Sequence, residues 1–213
     1  MKKKNILIVI SLVLTLTGCI GWWAYKYYVL PYYSIPAISD HTDYKTIDER
    51  AEAALAFAKS HGLSRKYCFL VDYSIPSGTP RMFVWDFEQQ RIIASCYVMH
   101  GSGGGSTAEK PVFSNQFGSN CSSLGRFAVT KLHGNRQKRG FRLRGLDMDN
   151  QSAMPRGLLI HRGVWVDLNC WRTYIPLNSF CCQGCLTVST RGFDYLEKII
   201  YSEKRQILVW NYS

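Results

Sequence analysis

"YCFLVDYSIPSGTPRMFVWDFEQQRIIASCYVM", residues 67–99, decides what kind of fold this chain can adopt. Three runs rich in Phe, Val, Ile, Tyr and Trp follow one another, and the Pro/Gly turn "SIPSGTP" separates the first two. Runs of this length and composition are strands, and so short a turn makes them neighbours. The spacing predicts an antiparallel meander. Working outward, "GRFAVT" (125–130), "FRLRGL" (141–146), "GLLIHRGVWV" (157–166), "CLTVS" (185–189) and "QILVW" (206–210) read as further short strands. Two segments read as helices. Before the meander, Thr46 and Glu49 form a T-x-x-E capping box. Ile47, Ala51, Ala54, Leu55 and Ala58 then recur at helical spacing, and Gly62 supplies the stop. Near the C-terminus stands "RGFDYLEKIIYSE" (191–203). The pattern is mainly β, of the α+β class: a sandwich or barrel with one helix before the domain and one near the C-terminus. No internal repeat occurs. No β-α-β alternation occurs either, which disfavours a doubly wound parallel sheet.

The 213 residues carry a formal net charge of +11 and are 46% apolar. That composition excludes disorder and leaves room for one domain with a real core. The charge favours an acidic partner, yet no zinc-finger spacing, basic heptad or RNP-like pattern points to nucleic acid. The opening, "MKKKNILIVISLVLTLTGCIGWWAYKYY", has three lysines and then no charge from Ile6 to Ala24. This is the form of an export signal or an uncleaved anchor, and it places the domain outside the cytoplasm. "LTGC" at Leu16–Cys19 resembles a lipobox, with Cys19 as the lipidated residue. The expected organisation is an anchor or lipoprotein signal over 1–29, a Pro-rich linker over 30–45 and a catalytic domain over 46–213.

"SFCCQGCLTVST", residues 179–190, packs three of the eight cysteines into five positions. Structural zinc needs a second spaced pair, which Cys170 and His161 do not supply. A thioredoxin-like C-x-x-C needs a β-α-β setting, absent here. Disulfides are permitted in an exported domain, and Cys68, Cys96, Cys121, Cys170, Cys181 and Cys182 are all available to them. The remaining reading is a nucleophile. Gly184 allows a sharp turn directly before Cys185, and "LLIHRG" sets His161 at the end of an apolar strand. Structural roles for both residues stay open on the residues alone. "HGSGGGSTAEKP" (100–111) lacks the endings of a P-loop or dinucleotide motif, and it reads as a flexible loop beside a site.

"LIH", followed after a loop by x-x-G-C, resembles the YkuD-like L,D-transpeptidase motif. The parallel extends from about Tyr67 to about Val188. It includes the opening hairpins with "VMHGSGGG", then "FSNQFGSNCSSLGRFAV", then "GFRLRGLDMDNQSAMPRGLLIH", and is similar to the murein L,D-transpeptidase catalytic-domain branch. The resemblance implies a YkuD-like β-sandwich or barrel. It implies Cys185 as nucleophile, His161 as general base, and backbone N–H groups around Gly184 and Cys185 as oxyanion donors. Arg142, His100 and Gln183 fall in stretches that line the family's cleft. Asp147, Asp149, Asp167 or a backbone carbonyl would orient His161. The implied reaction is acyl transfer on peptidoglycan stem peptides, forming 3→3 cross-links through a thioester, with hydrolysis as a variant. No metal or cofactor is implied. Cys182 stands where the family carries Ser, so it either supports the thiol or pairs with it. The alternative reading is an idle or redox-gated wall-binding protein on the same fold.

Overall fold

In the computed structural model, residues 3–24, 44–107, 110–132, 140–163, 166 and 182–213 are described. The meander is present: β1 (Tyr67–Asp72), β2 (Met82–Asp86) and β3 (Arg91–Cys96) pair antiparallel in sequence order. The run expected as one strand, "RIIASCYVM", breaks at Tyr97. Beyond it, Val98–Met99 form a separate strand, β4, which does not join the meander. The remaining strands are β5 (Gly125–Thr130), β6 (Phe141–Gly145), β7 (Leu159–Arg162), β8 (Leu186–Val188) and β9 (Leu208–Tyr212).

All nine belong to one sheet, in the order β3-β2-β1-β9-β5-β6-β7-β8-β4. β3 and β4 are its two edges, and a single residue, Tyr97, joins them. One extended residue spans only about 3.3 Å, so the far ends of the sheet must meet at that corner. The sheet therefore curls into a nearly closed barrel, using the twist that every strand pair carries. Two pairs are parallel, β1 with β9 and β7 with β8. β1 and β9 are separated by most of the domain's length, so the sequence pattern did not disclose their pairing.

β1 shows how the core is filled. Phe69 and Val71 face the barrel interior with Met82, Val84, Phe127, Val129, Leu143 and Ile160. Cys68 and Leu70 face outward, where α2 (Tyr44–Ser60) covers them with Ile47, Ala51, Ala54 and Ala58. A strand buried on both faces reads as a continuous apolar run, as "CFLV" does. α2 begins at Tyr44, so the expected cap Thr46 lies inside its first turn. α3 (Thr190–Ser202) starts one residue earlier than expected, because Ser189 Oγ accepts from Gly192 N–H at 3.2 Å. Phe193, Leu196, Ile199 and Ile200 of α3 are buried in the barrel core. Each contributes about 1.5–3 kcal/mol by burial, which fixes the helix against the sheet.

α1 (Lys3–Ala24) is a helix of 22 residues with Leu12, Leu14, Leu16 and Trp22 exposed. Among the described residues no helix is long and apolar enough to cross a membrane, so the expected anchor over 1–29 is not shown. Most of the expected linker lies outside the described residues.

Candidate active site

The register of β7 and β8 builds the site. Ile160 stands opposite Leu186, and His161 opposite Thr187. Ile160, Leu186 and Val188 fill the barrel core. Side chains alternate across a strand, so Leu159, His161 and Thr187 point to the other face. Cys185 directly precedes β8 and lies beside Leu159, whose backbone N–H reaches its sulfur. Thiol and imidazole are thus diagonal neighbours on the outer face of one parallel pair. β6 extends the row, since Arg142 pairs with Leu159. The Arg142 Nε is buried and has no hydrogen-bond partner among the described residues.

His161 is held at both nitrogens. Nδ1 lies 3.0 Å from the Arg162 carbonyl oxygen, which can only accept, so Nδ1 carries the proton. Nε2 is then an acceptor, and it takes the Thr187 hydroxyl at 3.1 Å. A backbone carbonyl therefore orients the ring. Asp147 does not, because Arg126 engages it at 2.7 Å, and Asp149 is exposed. Asp167 lies outside the described residues. Among the described residues no hydrogen bond joins His161 to Cys185. Burial pushes the Cys185 thiol up to about 11, against the pull of the Leu159 N–H and the Arg156 charge. At neutral pH the resting sulfur is a thiol.

The turn before Cys185 needs its glycine. Gly184 has φ +102°, and a Cβ there would collide with the Cys121 carbonyl oxygen. Cys182 is buried, and burial raises its thiol as well. Its sulfur donates to the Cys185 carbonyl at 3.3 Å and lies 3.7 Å from Thr187 Oγ1. These are the contacts a hydroxyl at that position would make. Both thiols are free in this structure. The amides of Gly184 and Cys185, expected to serve an oxyanion, approach the Cys182 sulfur. Gln183 is exposed beside them.

The glycine-rich stretch differs from the loop expected of it. Its described part packs tightly: Cβ atoms at Gly101 and Gly103 would strike the backbone of residues 119–122. Ser102 N–H donates to the Cys182 carbonyl at 3.0 Å, tying this stretch to the turn before Cys185. His100 is fully buried rather than facing a cleft. Its Nδ1 accepts from Arg81 Nη2 at 2.8 Å, and burial together with the Arg81 charge holds it down at about 3. Arg81 is itself buried, with its other N–H groups on the Val98 and Ile75 carbonyls at 3.1 and 3.0 Å.

Sequence reasoning missed Thr187 and Arg156. Thr187 was findable, since it lies two residues past Cys185 and so shares its face of the strand. Arg156 stood in the stretch "PRGLLIH" that carries the resemblance, but its role depends on a loop from elsewhere in the chain. Cys170 and Cys181 lie outside the described residues, and Cys68, Cys96 and Cys121 are buried and free. Among the described residues no cluster of three or more His, Cys, Asp or Glu could hold a metal. A cavity of about 680 Å³ opens elsewhere, between α2 and the ends of β5 and β9. It contains neither Cys185 nor His161.

The L,D-transpeptidase catalytic-domain family model matches residues 39–212. No curated protein and no solved structure matches the chain. All nine strands, α2, α3 and the His161–Cys185 face lie inside the matched span, and the chain belongs to the YkuD-type L,D-transpeptidase catalytic-domain family.

Proposed function

We propose that this protein is a cysteine-dependent L,D-transpeptidase that joins peptidoglycan stem peptides by 3→3 cross-links, with Cys185 as nucleophile and His161 as general base. The observation that carries this reading is the register that sets both side chains on one face, with His161 Nε2 left as an acceptor. His161 takes the thiol proton, and the Cys185 sulfur attacks the carbonyl carbon of the third stem residue. The electron pair moves to oxygen, and backbone N–H groups of the Cys185 turn, released from the Cys182 sulfur that they approach at rest, hold the resulting charge; one such donor is worth about 3–4 kcal/mol. Collapse breaks the amide bond. The terminal D-amino acid leaves as an amine carrying the proton from His161, and a thioester remains. An acceptor amine from a second stem attacks the thioester, His161 takes its proton, and the thiolate is released. Water in place of the amine gives hydrolysis.

Thr187 must give up Nε2 for this sequence to begin, since the base cannot hold two donors on one lone pair. Arg142, with its unpartnered Nε in the same row, is proposed to meet a substrate carbonyl or carboxylate, and exposed Gln183 to flank the entry. His100 supports the site from below. Action in the envelope of a bacterium, with tethering through residues 1–29 or through lipid on Cys19, completes the proposal. It needs neither a metal nor nucleic acid.

A carbapenem and mass spectrometry test it. One covalent adduct should form, on Cys185, and disappear in Cys185→Ala. An adduct that forms only after reduction would instead favour a Cys182–Cys185 gate. A folded, reduced protein that forms none would sink the reading.

A further inference from the structure

Arg156 follows a single 3-10 turn (Gln151–Ala153) and leads the chain toward β7. Its guanidinium donates through Nη1 to the Ser114 carbonyl at 2.8 Å and to Ser123 Oγ at 2.6 Å. Through Nη2 it donates to the Cys121 carbonyl at 2.7 Å and to Ser119 Oγ at 3.4 Å. All four acceptors are neutral. Among the described residues no carboxylate comes within ion-pair distance of it. A cation solvated by neutral groups keeps its field for whatever stands next to it.

What stands next to it is the nucleophile turn. The Cys121 carbonyl that Arg156 grips is the atom that fills the space over Gly184. A Cβ on Gly184 would lie 3.1 Å from Nη2, and Cys185 is the next residue. His161, by contrast, has its acceptor nitrogen turned to Thr187. Of the other groups that bear on the Cys185 sulfur, Cys182 and the Leu159 N–H carry no positive charge, and Arg81 bears on Cys182; Arg142 lies one strand further along the row.

We propose that Arg156 is a positioning residue for the reaction: its unpaired charge favours the anionic form of the Cys185 sulfur, and its fork fixes the floor under the nucleophile turn. The inference rests on the reading of Cys185 as nucleophile. It accounts for a resting site in which thiol and imidazole are not hydrogen bonded. His161 need only remove the proton, because the charge left on sulfur has a second, fixed partner.

The test is the pH dependence of Cys185 alkylation by iodoacetamide, read at the Cys185 peptide by mass spectrometry in the full chain. Arg156→Gln should move the midpoint up by about one unit, which is about tenfold less reaction near pH 7. Ser119→Asp keeps the fork but gives the guanidinium a carboxylate, and it should move the midpoint the same way. Ser123→Ala removes one hydrogen bond and no charge, so it should lower thermal stability and leave the midpoint alone. If Arg156→Gln fails to fold, the two serine variants decide the matter. Unmoved profiles in both charge-altering variants overturn the proposal, as does a Ser123→Ala shift as large as theirs. Alkylation needs no stem peptide, so this outcome is independent of the carbapenem result. A lost adduct with an intact Arg156 effect would count against the transpeptidase and not against the electrostatics.

Discussion

The two sides of this barrel are built differently. On one side, β1, β2, β9 and β5 have five or six residues each, and β1 and β2 are buried along nearly their whole length. On the other, β7 has four residues, β8 three and β4 two, and β7 alternates between core and outer face. α2 covers the outside of β1, whereas β4 and the turn before β8 meet the small cluster of Met99, Val166 and Cys182. The thick side has two apolar layers to hold it. The thin side has one extended layer, and its second cluster is small and adjoins the polar groups of the site. Functional groups need rigid support, and β7, buried at Ile160 and only half-buried at His161, holds the imidazole on a firm strand.

Substitutions can break that comparison. Phe69→Ala, in the centre of the thick side, should cost about 3–5 kcal/mol of stability in urea unfolding, enough to unfold a marginal domain. Gly184→Ala, on the thin side, should do the reverse. Backbone strain there costs about 1–3 kcal/mol. The displaced turn should lower cross-linking by about 100-fold in a protein that still melts cooperatively. If Gly184→Ala unfolds the chain as fully as Phe69→Ala does, the division between holding and acting is wrong.

A gentler probe is acid. His100 is held at about 3, below the ordinary 6.5 of a free histidine, so between these values the unfolded chain binds the extra proton. Its contribution to stability is complete above about pH 6.5 and drains away as pH falls toward about 3. His100→Gln can still accept from Arg81 and cannot titrate, so its melting temperature should fall less steeply across that window. Equal slopes would show that carboxylates elsewhere set the acid limb. The smallest effect is expected at Thr187. Thr187→Val removes one hydrogen bond to Nε2, worth about 0.5–1.5 kcal/mol, and should change the cross-linking rate by less than about tenfold. A larger loss would mean that Thr187 takes part in the proton path.

The same contrast explains what the sequence disclosed. The thick side was legible because burial on two faces leaves apolar runs such as "CFLV" and "MFVW", which only strands accommodate. α2 was legible from its alanine stripe. The thin side was harder. "RIIASCYVM" is apolar throughout, and nothing in its composition marks Tyr97 as the corner where the chain leaves one edge for the other. "GLLIHRGVWV" runs past β7, which ends at Arg162; Gly163 still donates to the Val188 carbonyl at 2.9 Å, and residues 164 and 165 lie outside the described residues. Cys185 and His161 were marked by the glycine before one and the apolar run before the other. His100 was placed in a cleft by its neighbours in the chain, whereas Arg81 draws it into the interior. Arg156 stood inside the stretch "PRGLLIH" that carries the resemblance, but nothing in the sequence gave it a role, since its partners come from residues 114–123.

β9 occupies the centre of the sheet, between β1 and β5, although its residues, 208–212, come last of all the strands. Until they arrive, β1 and β5 have no common neighbour, and the barrel is two separate pieces. Contacts between segments so far apart in the chain slow folding, and they make it all-or-nothing with respect to synthesis. The growing chain can pair its meander, β1 to β3, from the front, but it cannot complete the sheet. It must remain open until its last strand is free, which is also the condition a chain must meet to be threaded through a narrow channel before it folds.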